Sequence, residues 1–325
     1  MYVITGGAGF IGSNIAAAVD TRRQPVVIVD TLGNNDKWRN ISEIPLKLIV
    51  PPEEIFTFLS EYTGSITAVI HMGAVSSTTE KDADLIIHTN FTLSQRLWNF
   101  CALNNLPFIY ASSAATYGAG EHGFEDEFND EYFSGLRPLN AYGWSKHLFD
   151  RWVLTQTETG NVPRQWAGLK FFNVYGPNET HKGSQASVIS HLYPIAKNDR
   201  TCRLFKSCNS EYKDGRQLRD FVWIGDCVSI VLWLLDNPDV NGLFNAGSGE
   251  ARSFFDLAVN VYDALEKAPS IEYIDMPEDL RDKYQYYTKA NMDKLRKAGY
   301  KQSATKLEDG IRIYVQDYLE KAGLK

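Results

Sequence analysis

The sequence is poor in cysteine and lacks any pairing of cysteines that would suggest a bound metal. Its four cysteines among 325 residues form no C-x-x-C motif, which suggests buried or incidental thiols in a reducing compartment. Cys202 and Cys208 are near enough in sequence to bridge, but two unpaired thiols are the favoured interpretation. The six histidines show no ligand spacing with cysteines or paired acids, so we expect no metal site.

The sequence also lacks a surplus of positive charge and a long apolar run. Its 33 basic and 40 acidic residues give a net charge of −7, which provides no general attraction to nucleic acid or anionic lipid. The richest apolar stretch, 227–235, is far shorter than a membrane span. Met1 leads almost directly into an apolar strand pattern, so we expect no cleaved signal peptide. We therefore expect a cytoplasmic protein that acts on a small molecule, without nucleic acid or membrane partners.

Up to about residue 172, short β-branched runs alternate with helical patterns. This alternation predicts a parallel sheet covered by helices on both faces. The predicted strands are 2–5, 26–29, 47–50, 68–71, 108–112 and 168–172, and the predicted helices are 10–21, 53–62, 85–104 and 142–159. We therefore predict an α/β fold, a Rossmann-type doubly wound parallel sheet with a smaller mixed α/β C-terminal substrate lobe.

Beyond residue 175 the alternation becomes irregular. Helices are predicted at 185–197 and 224–237, with strands at 221–222 and 243–246, and the segments 253–266, 271–274 and 307–321 complete a mixed second lobe. The length fits one large α/β domain or a nucleotide domain with a smaller partner, and two lobes are favoured. We assign 1–170 to a nucleotide-binding domain, with segments at about 220–250 returning to it, and 171–325 to a substrate-binding lobe.

The segment TGGAGFIG at residues 5–12 joins an apolar strand pattern to a helical one. Gly6 and Gly9 allow a tight turn and close approach of a pyrophosphate, while Gly12 allows the helix to pack against the strand. Asp30 ends the run VVIV at 26–29, where the adenosine ribose of a dinucleotide is expected. A dinucleotide site is therefore favoured over a tight turn followed by an ordinary strand-end acid.

Tyr142 and Lys146 are four residues apart, so on a helix they lie on one face. A free tyrosine titrates near about 10, and a neighbouring ammonium favours the phenolate. We therefore expect Lys146 to lower the pKa of Tyr142 toward that of a general base. Taken alone, this spacing is common on solvated helices. Ser113, however, follows a predicted strand, where its hydroxyl can hold a substrate oxygen beside Tyr142.

The sequence resembles the extended short-chain dehydrogenase/reductase superfamily of nucleotide-sugar enzymes. The resemblance rests on the glycine-rich segment, the strand-end serine and the Tyr-x-x-x-Lys pair, which occur in this order. Further segments narrow the resemblance to the ADP-glyceromanno-heptose 6-epimerase family: ASSAATYG at 111–118, FFNVYGP at 171–177, HKGS at 181–184 and RDFV at 219–222. The similarity extends from residue 1 to about residue 318. It implies C6 epimerisation of ADP-D-glycero-D-manno-heptose through a 6-keto intermediate with bound NADP, supplying heptose for the lipopolysaccharide inner core. It also implies a homo-oligomer, with a pentamer as the expectation.

When a carbinol carbon is inverted, its hydroxyl lies on one side before the reaction and on the opposite side afterwards. One base cannot serve both geometries well, so two acid/base groups are expected. The resemblance assigns these roles to Tyr142 and Lys182. Lys146 would then tune the tyrosine and bind the ribose, and Ser113 would hydrogen-bond the reacting oxygen. Outside the family motif, a solvated loop lysine would be the better interpretation of Lys182.

The resemblance also implies two sets of binding residues. The cofactor set is Gly6, Gly9, Phe10, Ile11, Gly12, Asp30, Thr31, Lys37, Met72, Gly73, Ala74, Ser76, Asn90, Tyr142, Lys146, Val174 and Lys182. The substrate set is Ser113, Asn173, Ser184, His191, Phe205, Arg219 and Tyr284. Arg219 suits a diphosphate because its fork of donors fits phosphate oxygens and stays charged, with a surface ion pair to Asp220 as the alternative.

Two departures from the family pattern bear on the ligands. Asp30 would ordinarily hold the 2′-hydroxyl of NAD and repel the extra phosphate of NADP, which Lys37 and Arg39 could neutralise. A further family lysine is replaced near Pro51 and Pro52, so NADP is expected with NAD as the alternative. The polar segment 206–218 is also longer than is usual in the family, and its role stays open.

Three other functions fit the sequence less well than the epimerase activity that the resemblance implies. A 4,6-dehydratase needs an acid pair beside the strand-end hydroxyl, where this chain has Ala114 and Ala115. A 4-epimerase would not need Lys182. A non-catalytic nucleotide-binding protein would have no use for the proton-transfer residues. Each of the three alternatives therefore explains fewer residues than the epimerase does.

Overall fold

The computed structural model describes residues 1–281 and 284–322. The strands in this part of the chain are β1 (Tyr2–Thr5), β2 (Val26–Val29), β3 (Leu48–Val50), β4 (Ala68–His71), β5 (Phe108–Ser113), β6 (Trp166–Phe171), β7 (Asn173–Tyr175), β8 (Cys202–Phe205), β9 (Leu218–Trp223), β10 (Gly242–Ala246), β11 (Ala251–Ser253) and β12 (Ile271–Ile274). Each of the six strands predicted before residue 173 is present, with ends that differ by no more than two residues.

The helices in the described residues are α1 (Phe10–Asp20), α2 (Ile55–Tyr62), α3 (Ala83–Ile86), α4 (Leu93–Leu103), α5 (Asp130–Gly135), α6 (Ala141–Glu158), α7 (Val188–Lys197), α8 (Ile224–Asp236), α9 (Phe254–Ala264), α10 (Glu278–Arg281), α11 (Asp293–Lys297), α12 (Leu307–Ile313) and α13 (Glu320–Ala322). Wider π-type turns at Ile87–Thr92 and Tyr314–Leu319 join α3 to α4 and α12 to α13. Tight 3-10 turns occur at Asp36–Ile41, Pro52–Glu54, Thr63–Ser65, Ala114–Tyr117 and Thr180–Gln185.

A seven-stranded parallel sheet in the order β10-β6-β5-β4-β1-β2-β3 forms the centre of the fold. All residues of β1, β2 and β4 are buried, as expected for parallel strands covered on both faces. The β-branched run of β2 fits this position because such side chains pack well on a pleated surface. The predicted α/β doubly wound fold is confirmed.

The later segments divide between this sheet and a smaller lobe. Strand β10 pairs with β6, and α8 packs against α1 of the large sheet. Strand β9 instead forms a three-stranded sheet with β7 and β11, while β8 pairs with β12. Helices α7, α9 and α12 enclose a second apolar core around Leu192, Leu257 and Ile311.

The cysteines and the apolar character of the helices can be read directly from the structure. All four cysteines are free, with Cys101, Cys202 and Cys227 buried and Cys208 exposed, so the favoured interpretation of unpaired thiols is confirmed. Among the helices of the described residues, none combines the length and apolar character that spanning a membrane requires.

Candidate active site

A cleft of about 440 Å³ opens at the carboxyl ends of the parallel strands. In an open α/β sheet this edge is where ligands bind, because the strand order reverses there. The cleft is lined by most residues of the predicted cofactor set: Gly6, Gly9, Phe10, Ile11, Gly12, Asp30, Thr31, Lys37, Met72, Gly73, Ala74, Ser76, Tyr142, Lys146, Val174 and Lys182. Ser113 of the predicted substrate set lines it as well.

The glycine-rich turn leaves the start of α1 open to an anion. Gly6 has φ +62, and a Cβ there would lie 2.6 Å from the Cα of Gly73. A Cβ on Gly12 would lie 2.2 Å from the carbonyl oxygen of Gly6, so larger residues would push helix and strand apart. The N-cap residue Gly9 offers no side chain to the first-turn amides of this 11-residue helix. These free N–H groups fit a pyrophosphate.

Asp30 is held at the end of β2 by a backbone amide and by a lysine. Its Oδ2 accepts from the Ala8 amide at 2.9 Å, and its Oδ1 accepts from Lys37 Nζ at 2.6 Å. The Lys37 ammonium therefore already neutralises the carboxylate that would repel a 2′-phosphate. Arg39 instead pairs with Asp36 on the surface at 3.1 Å and does not line the cleft.

Tyr142 and Lys146 share a face of α6, which begins at the N-cap Asn140. The Asn140 side chain accepts from the Gly143 amide at 2.8 Å and so fixes where the helix starts. Lys146 Nζ donates to the carbonyl of Ala111 on β5 at 2.8 Å. Burial lowers the pKa of Lys146 to about 8, and the Asp150 carboxylate partly opposes this change.

The pKa of Tyr142 departs from the expectation. Burial raises it above the ordinary value, a hydrogen bond from Ser113 partly offsets the rise, and the Asp150 charge adds to it. The expectation that Lys146 would lower the pKa of this phenol is therefore wrong for the protein without ligand. Desolvation of the phenolate is the largest cause of the rise, while the Lys146 amine donates to the Ala111 carbonyl.

A buried ion pair behind the cleft was not anticipated from the sequence. Asp150 Oδ2 accepts from Lys170 Nζ at 2.8 Å and from the Ser112 hydroxyl at 2.7 Å. Lys170 Nζ also donates to the Thr116 hydroxyl at 2.6 Å. Two features of the sequence are consistent with this ion pair. Asp150 follows Lys146 by four residues, and Lys170 lies inside an otherwise apolar strand, where a buried ammonium requires a partner.

Lys182 lines the same cleft and comes from a different segment of the chain. It lies in the turn Thr180–Gln185, and its Nζ is 5.5 Å from the centre of the Phe10 ring. Burial lowers the pKa of Lys182, and the Glu179 carboxylate partly opposes this shift. The side chain is half-buried among cleft residues, so the alternative of a solvated loop lysine does not describe it.

Asn90 supports the cleft from behind and does not line it. Its side chain is fully buried, accepts from the Val75 amide at 2.8 Å, and donates to the Val75 carbonyl at 2.9 Å and the Ser145 hydroxyl at 3.0 Å. Its hydrogen-bonding capacity is therefore directed at the segment after β4 and at α6. The adjacent Thr89 lines the cleft, and no motif in the sequence marks it as a site residue.

A second cavity of about 870 Å³ lies in the smaller lobe. It contains three residues of the predicted substrate set, His191, Phe205 and Tyr284. The rings of Phe205 and Tyr284 meet edge to face at 6.5 Å. Sequence reasoning did not identify several other lining residues, which come from α7, β8, β12 and the loop before β8: Val188, Arg200, Arg203 and Glu272. These positions share no motif, so only the fold brings them together.

Arg219 lies beside this cavity as a buried cation. Its guanidinium carbon is 5.2 Å from the Tyr284 ring and 5.6 Å from the Phe254 ring. Burial lowers its pKa. No carboxylate of the described residues pairs with it, and Asp220 instead accepts from the amides of Ser248, Gly249 and Ala290. The alternative of an ion pair with Asp220 is therefore wrong, and a buried guanidinium without a carboxylate suits an anionic ligand.

Asn173 and Ser184 are exposed and line neither cavity. Asn173 begins β7 next to the cleft residue Val174, and Ser184 follows Lys182 by two residues. Both therefore stand at the rim, where a ligand that bridges the two lobes would pass.

The segment 206–218 folds back beside the second cavity. The Cys208 amide donates to the Tyr286 hydroxyl at 3.2 Å, and the rings of Tyr212 and Tyr286 lie 5.5 Å apart. The Ser207 amide donates to Asp214 at 2.8 Å and closes the loop on itself. Its backbone amides are thus partly used inside the protein.

Fold and site together define a dinucleotide-dependent enzyme of the short-chain dehydrogenase/reductase type. The chain belongs to the NAD-dependent epimerase/dehydratase family, whose model matches residues 2–247. A Fusobacterium nucleatum protein named ADP-L-glycero-D-manno-heptose-6-epimerase is 46% identical over 330 residues, with 99% of this chain and 98% of that protein covered. A protein of the same name from Nitratidesulfovibrio vulgaris is 46% identical over 325 residues, with 99% of each covered.

A solved structure extends this similarity to three dimensions. The crystal structure of the Helicobacter pylori ADP-L-glycero-D-manno-heptose-6-epimerase has a TM-score of 0.79 at 26% identity, with 97% of this chain and 95% of that chain covered. Within the family, the chain therefore groups with proteins that carry this name.

Proposed function

We propose that this protein is an ADP-glyceromanno-heptose 6-epimerase that interconverts the D-glycero and L-glycero forms of ADP-manno-heptose. The observation that carries the proposal is that Tyr142, from α6, and Lys182, from the turn Thr180–Gln185, line the same cleft. The near-full-length similarity to proteins of that name supports the choice of substrate. This activity would supply the L-glycero precursor for the heptose of lipopolysaccharide.

The two side chains suit a reaction that inverts a secondary alcohol. When bound, the nicotinamide ring supplies a two-electron acceptor and donor for the hydrogen on C6. Tyr142 is positioned to hold the oxygen-bound proton for one epimer and Lys182 for the other, since the hydroxyl changes side. The lowered pKa of Lys182 increases the fraction of amine that can accept a proton at neutral pH. Ser113 is placed to hydrogen-bond the reacting oxygen beside Tyr142.

The nucleotide portion of the substrate is assigned to the second cavity. His191, Phe205 and Tyr284 line it, and the buried Arg219 guanidinium lies against the Tyr284 ring. A guanidinium without a carboxylate partner can bind two phosphate oxygens at once. We therefore assign the diphosphate to Arg219 and the adenosine to the aromatic cavity.

We propose NADP as the resident cofactor, with NAD as the alternative. The uncapped start of α1 and the Gly6 turn fit the pyrophosphate that both dinucleotides share. Lys37 is the feature that supports NADP, because its ammonium lies at the ribose end and lines the cleft. Pro52 lines the cleft where a second lysine would have strengthened the preference.

The direct test is incubation of the protein with its cofactor and ADP-D-glycero-D-manno-heptose, with the C6 epimers followed by NMR. We expect a mixture of both epimers to form from either starting compound. Folded protein that retains the dinucleotide but leaves each epimer unchanged would rule out the proposed function.

We also propose that the chain works as a homo-oligomer in the cytoplasm, with a pentamer as the expected assembly. Resemblance to the family is the support for this proposal. Sedimentation velocity on the purified protein tests it, because a monomer of 36.7 kDa and a pentamer separate clearly.

A further inference from the structure

The turn that carries Lys182 rests directly on the glycine-rich turn of the cofactor cleft. Asn178 Nδ2 donates to the Ser13 hydroxyl on α1 at 3.1 Å. Asn14 Nδ2, also on α1, donates to the Pro177 carbonyl at 3.1 Å. The backbone before Lys182 is therefore fastened to the same helix that begins at the pyrophosphate site.

Asn40 contacts His181, the residue that precedes Lys182. Asn40 Nδ2 lies 2.9 Å from the Ala8 carbonyl in the glycine-rich turn, 3.2 Å from the Asn178 carbonyl and 3.1 Å from His181 Nδ1. Asn35 Nδ2 lies 3.5 Å from the His181 carbonyl. One amide group thus joins the glycine-rich turn to the Lys182 turn.

The chemistry of this contact fixes the state of the imidazole. An amide nitrogen donates, so a hydrogen bond from Asn40 to His181 Nδ1 requires the neutral ring with its proton on Nε2. Burial and the nearby charges of Lys37 and Lys182 lower the pKa of His181, which favours the same neutral form.

Lys182 needs such support because its own turn is short. The residue after it, Gly183, has φ +55, so the backbone reverses immediately beyond the amine-bearing residue. The Lys182 amide donates to the Glu179 carbonyl at 2.9 Å, which orders the turn but does not attach it to the cleft. An acid/base group displaced by about 1 Å can lose about 100-fold in rate.

We propose that Asn40 and His181 are positioning residues that hold Lys182 over the cofactor cleft, and that they act on the reaction through Lys182 alone. The inference rests on the proposed epimerase function, in which Lys182 serves one epimer and Tyr142 the other. His181 lines the cofactor cleft and Asn40 does not, and neither is assigned a proton-transfer role. Loss of either should therefore impair the same half of the reaction as loss of Lys182.

The first experiment compares oxidation of each epimer separately in a single turnover, followed by absorbance of the reduced cofactor. Lys182→Met identifies the epimer that depends on the lysine. We expect His181→Ala and Asn40→Ala to slow that same epimer by about 10-fold to 100-fold and leave the other near the wild-type rate. His122→Ala, at an exposed histidine outside both cavities, is the control. Equal slowing of both epimers would overturn the proposal.

A conservative variant separates positioning from general loss of structure. In His181→Asn the amide oxygen can take the place of Nδ1 and accept from Asn40, so we expect most of the rate lost in His181→Ala to return. A His181→Asn variant as slow as His181→Ala would contradict the assigned hydrogen bond.

The second experiment needs neither cofactor nor substrate. Hydrogen exchange of the cofactor-free protein should be faster in residues 177–187 for His181→Ala and Asn40→Ala, and unchanged in α6. Unchanged exchange in 177–187 would refute the positioning role. Wild-type protein that interconverts neither epimer would instead refute the epimerase function, while the exchange result would still report on the turn.

Discussion

The Lys170 ammonium nitrogen lies 2.8 Å from an Asp150 carboxylate oxygen, and neither side chain is exposed. Asp150 is on α6 four residues beyond Lys146, and Lys170 is on β6. Through Ser112 and Thr116 the pair also reaches the segment on both sides of Ser113. One ion pair therefore joins the helix that carries Tyr142 to the strands that carry the serine.

Replacing Asp150 by Asn should destabilise the fold and shift the Lys146 titration. A buried ammonium left without its carboxylate typically costs about 3–5 kcal/mol. Because Asp150 opposes the effect of burial on Lys146, its removal should move the pKa of Lys146 further below about 8. Urea unfolding measures the first effect, and the pH profile of turnover measures the second.

The control for this prediction is the double variant Asp150→Asn with Lys170→Met. Without a buried charge to leave unpaired, it should be less destabilised than the sum of the single variants. Additive losses would mean that the two side chains stabilise the fold independently.

Tyr142→Phe and Lys182→Met should each lower epimerisation by about 100-fold to 10,000-fold, the usual contribution of a general acid/base group. Dinucleotide binding should change little, because most of the cleft is formed by the glycine-rich turn and the strand ends. Turnover is measured by NMR of the C6 epimers, and binding by titration with the dinucleotide. Normal turnover by the Lys182 variant would show that one base suffices.

The parts of this molecule that were predictable from sequence are those set by local pattern. The run VVIV at 26–29 and the glycine turn before α1 have a local physical signature, so strand, turn and helix start were all placed closely. The Tyr142 and Lys146 pair follows from helical spacing alone. The burial of Tyr142 does not follow from that spacing, so the direction in which its pKa shifts was predicted wrongly.

The remaining features depend on contacts between distant segments. The Asn40 and His181 contact joins residues 141 positions apart, and the Asp150 and Lys170 pair joins a helix to a strand. Neither has a periodic pattern in the chain. The second cavity is likewise assembled from α7, β8 and β12, whose proximity only the folded lobe determines.

Lys37→Ala should weaken binding of NADP more than binding of NAD. The Lys37 ammonium neutralises Asp30 at 2.6 Å, and without it a 2′-phosphate would face an uncompensated carboxylate. We expect the ratio of the two dissociation constants to change by about 10-fold, which equals about 1.4 kcal/mol. Arg39→Ala is the matched control, since Arg39 pairs with Asp36 on the surface. Equal weakening of both dinucleotides would argue against a 2′-phosphate site at Lys37.

His71 should make the stability of the fold depend on pH in the acid range. Its Nδ1 lies 2.6 Å from the Thr5 hydroxyl and its Nε2 lies 2.8 Å from the Ser94 hydroxyl, and the ring is buried. Burial first, and then the Lys146 charge, lower its pKa to about 3.

Because the folded pKa of His71 lies below the unfolded value of about 6.5, the unfolded chain takes up the proton first as the pH falls. The stabilisation is therefore fully present above about pH 6.5 and declines as the pH falls toward 3, by up to about 1.4 kcal/mol per pH unit. Urea unfolding between pH 7 and pH 5 measures this slope, to which His147, with its pKa lowered to about 4, adds a similar part. His71→Gln should lose one proton's share of the slope, and an unchanged slope would mean that His71 is protonated in the folded protein.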